Sequence, residues 1–87
     1  MTSVLLLTKE NCSLCDDAKD VLEKLRPHYG LEIQSISLES EEGRRLALTS
    51  SAAFPPVVFV DGELFSYGRL SERRLRRALT PAPRMRE

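Results

Sequence analysis

With 87 residues the chain has room for one small domain and none for a second core. Thirteen acidic and thirteen basic side chains cancel, Trp is absent and 41% of residues are hydrophobic. These totals argue against disorder throughout, and nothing global points to nucleic acid or a membrane as partner. The cancellation hides an asymmetry: residues 10–42 are mostly acidic, while the end from Arg69 carries Arg73, Arg74, Arg76, Arg77, Arg84 and Arg86. These arginines read either as a solvated helix face or as a docking patch for an acidic protein. No aromatics are interleaved with them to stack bases.

The opening "MTSVLLLTKE" lacks the basic start and small-residue cleavage site of a signal peptide. No stretch reaches the roughly 20 apolar residues that span a bilayer. The expectation is a cytoplasmic protein, where persistent structural disulfides are disfavoured. Ser3–Thr8 is a continuous apolar run, which predicts a strand covered on both faces. Leu14, Ala18, Val21, Leu22 and Leu25 then recur at helical spacing, and Pro27 and Gly30 are expected to close that helix. Leu31–Leu38 reads as a strand whose apolar alternation slips phase between Ile33 and Ile36. Ser40, Glu41 and Glu42 open a second helix with acids where the dipole favours them, although Gly43 and Thr49–Ser51 weaken it.

Val57–Val60 is a second buried strand, and Asp61-Gly62 is a hairpin signal leading into Leu64 and Phe65. Ser71 is placed to cap a last helix, with Leu70 and Leu75 at the spacing of a hydrophobic staple. Leu75, Ala78 and Leu79 would be its buried stripe and Pro81 its stop. Residues 1–80 are thus expected to form one domain and residues 81–87 a flexible tail. The order β-α-β-α-β-β-α predicts an α/β fold: a mixed four-stranded sheet with a parallel crossover, an antiparallel edge and helices on both faces.

The only cysteines, Cys12 and Cys15, stand where the first strand hands over to the first helix. Unpaired N–H groups and the positive dipole end favour an anion there, and the thiolate is the nucleophilic form of cysteine. Cys12 is therefore the candidate attacking thiol. Cys15, about one turn on and more sheltered, is the candidate resolving thiol. Lys9 brings a cation near Cys12, whereas Asp16 and Asp17 oppose a negative sulfur. The balance predicts a Cys12 pKa below that of free cysteine but short of the extreme low end. A closed zinc site needs four ligands, and beyond the cysteines only His28 is on offer, at the far end of the helix. Cu(I) suits two thiolates, yet copper chaperones of this kind carry Met-x-Cys-x-x-Cys and a different element order. No metal site is expected, and an inert pair of small core residues remains open.

"LLLTKENCSLCDDAKDVLEKL" followed by "PPVVFVDGELFSYGRLSERRLRRAL" resembles the glutaredoxin-like branch of the thioredoxin superfamily, in particular its short bacterial Cys-x-Leu-Cys members. The likeness extends to Leu79. It implies a thioredoxin fold and thiol–disulfide exchange, with the family's active-site cis-proline falling on Pro56, or on Pro55 after a shift of one residue. Ser13 and Leu14 replace the Pro-Tyr of familiar glutaredoxins, and Phe54-Pro55 replaces their Thr-Val. Pro55 has no N–H to pair with a bound substrate. Ser66 and Tyr67 stand where the family's Gly-Gly admits glutathione. Lys9 is left as a carboxylate contact, and Ser71 with Arg69 as an anion contact or, for Ser71, a plain cap.

The resemblance thus implies a monomeric dithiol oxidoreductase acting on protein or low-molecular-weight disulfides. Cys12 and Cys15 would be catalytic, with Lys9, Ser13, Leu14, Pro55, Pro56 and Ser71 at the substrate. No cofactor is expected to be bound, and glutathione or a thioredoxin reductase would supply electrons. Phe54, Leu14 and Tyr67 offer apolar contact to a protein substrate or pack internally. Two other readings stay open: a weakly active module that binds a partner through the arginine-rich last helix, and iron–sulfur binding assisted by glutathione.

Overall fold

The computed structural model describes residues 2–50 and 54–79. Strand β1 (Thr2–Thr8) is followed by α1 (Ser13–Tyr29), β2 (Leu31–Ser37), α2 (Glu41–Ser50), β3 (Val57–Val60), β4 (Glu63–Tyr67) and α3 (Glu72–Ala78). The strands pair in the order β2-β1-β3-β4, with β1 parallel to β2 and both remaining pairs antiparallel. This is the mixed four-stranded sheet that the element order predicts and the thioredoxin-like architecture that the resemblance implies.

The apolar run of β1 serves two cores. Val4 and Leu6 join Ala18, Leu22 and Leu25 of α1, Val58 of β3, and Leu70, Leu75 and Leu79 around α3. Leu7, with Leu5 packed beside it, faces the opposite way into a smaller core with Val57, Phe59 and Leu46 and Ala47 of α2. Strand alternation explains the division, since successive side chains point to opposite faces. The phase slip in β2 has the same origin: Leu31 and Ile33 pack on the α1 side, Ile36 and Leu38 on the α2 side.

Three sequence-based expectations need correction. Pro27 lies inside α1 rather than ending it; the helix runs to Tyr29 and stops at Gly30, which takes the left-handed conformation (φ 62, ψ 48) and donates its N–H to Arg26 O at 2.9 Å. Pro27 is exposed, so the i−4 carbonyl that loses its donor lies toward solvent. Ala78 is exposed, leaving Leu75 and Leu79 as the stripe of α3. Gly43 does not weaken α2; it permits its seating. A Cβ there would run into the Ser37 carbonyl oxygen and lie 2.9 Å from the Ser37 carbonyl carbon. Ser40 caps this helix, its hydroxyl accepting from Gly43 N at 3.0 Å. The stop at Pro81 and the tail 81–87 lie outside the described residues.

The hairpin turn places Asp61 and Gly62 at φ 50 and φ 85, as a two-residue turn of this kind requires. Beyond it the β3–β4 register shifts, so that Phe65 and Ser66 together stand opposite Val58 and Phe65 turns toward the α1 side. At the start of α3, Glu72 bonds Arg76 Nε at 3.0 Å and Lys24 Nζ of α1 at 3.3 Å. These hydrogen bonds, Arg76's first and Lys24's second, hold the Glu72 carboxyl below the usual carboxylate range.

Both the Gly43 seat and the Glu72 bonds can be tested. Gly→Ala inside a helix normally stabilises, but Gly43→Ala should destabilise by about 1–3 kcal/mol through the clash with β2, read by chemical denaturation. A Glu72 pKa lowered on folding contributes stability that is complete above the unfolded-state value and lost as pH falls through the folded one. Denaturation midpoints of wild type and Glu72→Gln, measured from about pH 7 down through the carboxylate range, should therefore converge on acidification. A constant gap would show that the carboxylate charge contributes nothing.

Candidate active site

The register gathers the site at one end of the sheet. Leu7 pairs with Val57, and Val57 with Tyr67. The segment after β1 (Lys9 to Cys12), the segment before β3 (Phe54 to Pro56) and the end of β4 therefore emerge side by side. Glu10 and Asn11 make the turn, Asn11 at φ 57, a left-handed position that asparagine tolerates better than most residues.

Cys12 is the N-cap of α1, with extended backbone (φ −118, ψ 104), and its sulfur accepts a hydrogen bond from Cys15 N at 3.1 Å. The sulfur thus occupies the place that a Ser or Asp oxygen commonly takes at a helix start. Cys12 and Cys15 are joined as a disulfide with Cα atoms 5.2 Å apart. The two differ in access: Cys12 is partly exposed, Cys15 only 2% exposed. Opening the disulfide would leave the outer sulfur facing a helix N-terminus and a donated N–H, both of which favour a thiolate.

Around this pair Lys9 and Ser13 are exposed and Leu14 and Pro55 half-buried, while Pro56 is fully buried. The cis peptide bond is Pro55-Pro56, which decides between the two prolines in favour of Pro56. Ser71 caps α3, its hydroxyl accepting from Arg74 N at 3.2 Å. Its neighbour Glu72 is bonded to Lys24, about 16 Å along α1 from Ser13. His28 lies farther still along α1. Among the described residues no three His, Cys, Asp or Glu side chains come together as a metal cluster, and no helix is long and apolar enough to cross a membrane.

Sequence reasoning missed how Phe54 is held. The Gly68 N–H donates to Pro56 O at 2.9 Å and Phe54 O at 3.2 Å, pinning the chain before β3 to the end of β4. Gly68 sits at φ 77, and a Cβ there would lie 2.9 Å from Phe54 Cε2. The Phe54 and Tyr67 rings meet edge to face, centroids 5.5 Å apart, yet stay 58% and 43% exposed. A glycine one residue after the Ser66-Tyr67 pair was the available signal.

The glutaredoxin-like domain family (DUF836) matches residues 3–80. No curated protein matches the sequence. Among solved structures, the glutaredoxin-like NrdH-redoxin of Escherichia coli is similar with a TM-score of 0.66 and 23% identity, over 93% of this chain and 99% of that one. Thioredoxin O2 of Arabidopsis thaliana in the oxidized state gives 0.68 and 16%, over 90% of this chain and 71% of that one. Mitochondrial thioredoxin 3 of Saccharomyces cerevisiae gives 0.65 and 18%, over 90% and 76%. At these identities the structural likeness carries the fold, and the family match carries membership: the chain belongs to the glutaredoxin-like domain family of thioredoxin fold.

Proposed function

We propose that the chain is a dithiol oxidoreductase that reduces disulfides, protein disulfides above all, in the cytoplasm. The observation that carries this reading is the asymmetry of the two cysteines: an accessible sulfur at the helix N-cap and a buried one a turn further on. The reduced Cys12 thiolate attacks one sulfur of the substrate, forming a mixed disulfide and expelling the other sulfur as a thiolate that takes up a proton. Cys15, losing its proton, attacks the Cys12 sulfur and expels the second substrate thiol. The protein is left as the Cys12–Cys15 disulfide and needs two electrons to start again.

The surroundings favour a thioredoxin reductase over glutathione as the electron source. Pro55 has no N–H, and the Phe54 carbonyl already accepts from Gly68. A peptide-like ligand lying along this edge therefore finds fewer main-chain partners. Ser66 and Tyr67 stand where the family resemblance puts the Gly-Gly of glutathione users. The same shortage does not fit a cluster shared through Cys12 and glutathione. The thioredoxin-like activity profile attributed to the NrdH-redoxin of Escherichia coli is a precedent on the same fold. Lys9, Ser13 and Leu14 line the approach to Cys12, and Pro55 and Pro56 its far wall.

Insulin reduction tests this. The wild type should turn over with NADPH and thioredoxin reductase, and more slowly with glutathione and glutathione reductase. Cys12→Ser should bring both to background. A wild type inactive with either donor would remove the proposal; faster turnover with glutathione would overturn the assigned donor.

A further inference from the structure

We propose that the arginine face of α3 is a docking surface for an acidic segment of a protein partner. Helix α3 turns Leu75 into the core and commits Glu72 to Arg76 and Lys24. Arg73, Arg74 and Arg77 are left on the exposed side, with Arg69 exposed just before the cap. Among the described residues, Arg69, Arg73 and Arg77 form no ion pair with a carboxylate. Arg74 lies over the Phe65 ring, its guanidinium carbon 5.6 Å from the centroid.

Folding accounts for Arg74, which packs over Phe65, and for Arg77, which stands in the last turn where the dipole favours cations, but not for the bare pairing of Arg73 with Arg77. Arg73 and Arg74 stand in the first turn, where the helix dipole disfavours cations, and Arg73 and Arg77 repel each other at i,i+4. A partner that brought carboxylates would relieve both. A shallow surface concavity of about 480 Å³ lies among Glu72, Arg73, Arg76 and Arg77, with Arg73 and Arg77 on its rim uncommitted to any carboxylate among the described residues. Guanidinium groups suit an acidic segment, because each presents a planar fork that a carboxylate accepts with two hydrogen bonds.

The same face is poorly made for other polyanions. Nucleic acid would look for exposed rings among the arginines, and Phe65 already lies beneath Arg74. A zero formal net charge adds no long-range attraction. A bilayer would need apolar residues to insert, and the large exposed ones among the described residues (Leu48, Phe54, Leu64 and Tyr67) all lie outside α3. α3 leads away from the end of β4, where Tyr67 pairs with Val57 next to Pro56. Binding on this face does not require exchange chemistry.

The test uses the full chain with both cysteines changed to Ser, so that binding is read apart from redox activity. Fluorescein-labelled oligoglutamate is titrated by anisotropy, with oligolysine, single-stranded DNA and phosphatidylserine vesicles as comparison probes. Oligoglutamate should bind saturably at about 0.1 M salt and be released at about 1 M. Arg73→Gln with Arg77→Gln should weaken it about tenfold, the order expected for losing two charge-assisted contacts. The Tm of that variant should be unchanged or higher. Absent binding, binding indifferent to the substitutions, or a lower Tm would overturn the proposal. Tighter binding of DNA or vesicles through the same arginines would overturn the assignment to an acidic protein.

Discussion

The hydrogen bond from the Cys15 amide to the Cys12 sulfur is a small contact on which the chemistry of this molecule depends. It exists because α1 begins at Ser13 and not a residue earlier or later, which makes Cys12 the cap and Cys15 the third helical residue. That start is set from both sides. Asn11, at φ 57, turns the chain out of β1. Ala18, Leu22 and Leu25, all fully buried, seat the helix on the sheet and fix its rotation. With the helix so rotated, Cys15 points inward and Cys12 remains accessible. Two chemically identical side chains acquire different exposure from one element.

β1 makes the rest of the site possible. It is paired on both edges, with β2 and β3, and covered on both faces, so the position of its end at Thr8, where the turn to Cys12 begins, is strongly determined. The antiparallel register with β3 then brings the Phe54–Pro56 segment to the same end. Gly68 ties that segment to β4 with one N–H shared between two carbonyls. The consequence is a site edge built from proline rings and exposed aromatic surface, with little free main chain. Under the proposed function, selection of a partner there falls to side-chain contact.

Most of the fold was legible because each apolar run carried its own period. The continuous run in β1, the helical spacing of Leu14 to Leu25 and the Asp61-Gly62 turn each allowed one reading. The cysteine pair was legible from its place between strand and helix; Pro56 came from the family resemblance, which left Pro55 open until the cis bond was seen. What escaped the sequence depended on distant packing. Gly43 reads as a helix breaker until Ser37 is seen against it. Pro27 reads as a stop although its exposed side tolerates it. Ser71 reads first as a cap and second as an anion contact, and the bond from Arg74 N shows the cap. Phe54 and Tyr67 could have been core until the structure showed them meeting at the surface.

The claim on which the functional account turns is that Cys12 attacks and Cys15 resolves. Reduced Cys15→Ser and reduced Cys12→Ser, each exposed to excess glutathione disulfide and weighed intact by mass spectrometry over time, test it most directly. The account predicts rapid formation of one persistent glutathione adduct on Cys15→Ser, and little or none on Cys12→Ser, whose remaining thiol is buried. Equal labelling of the two variants, or faster labelling through Cys15, would contradict it.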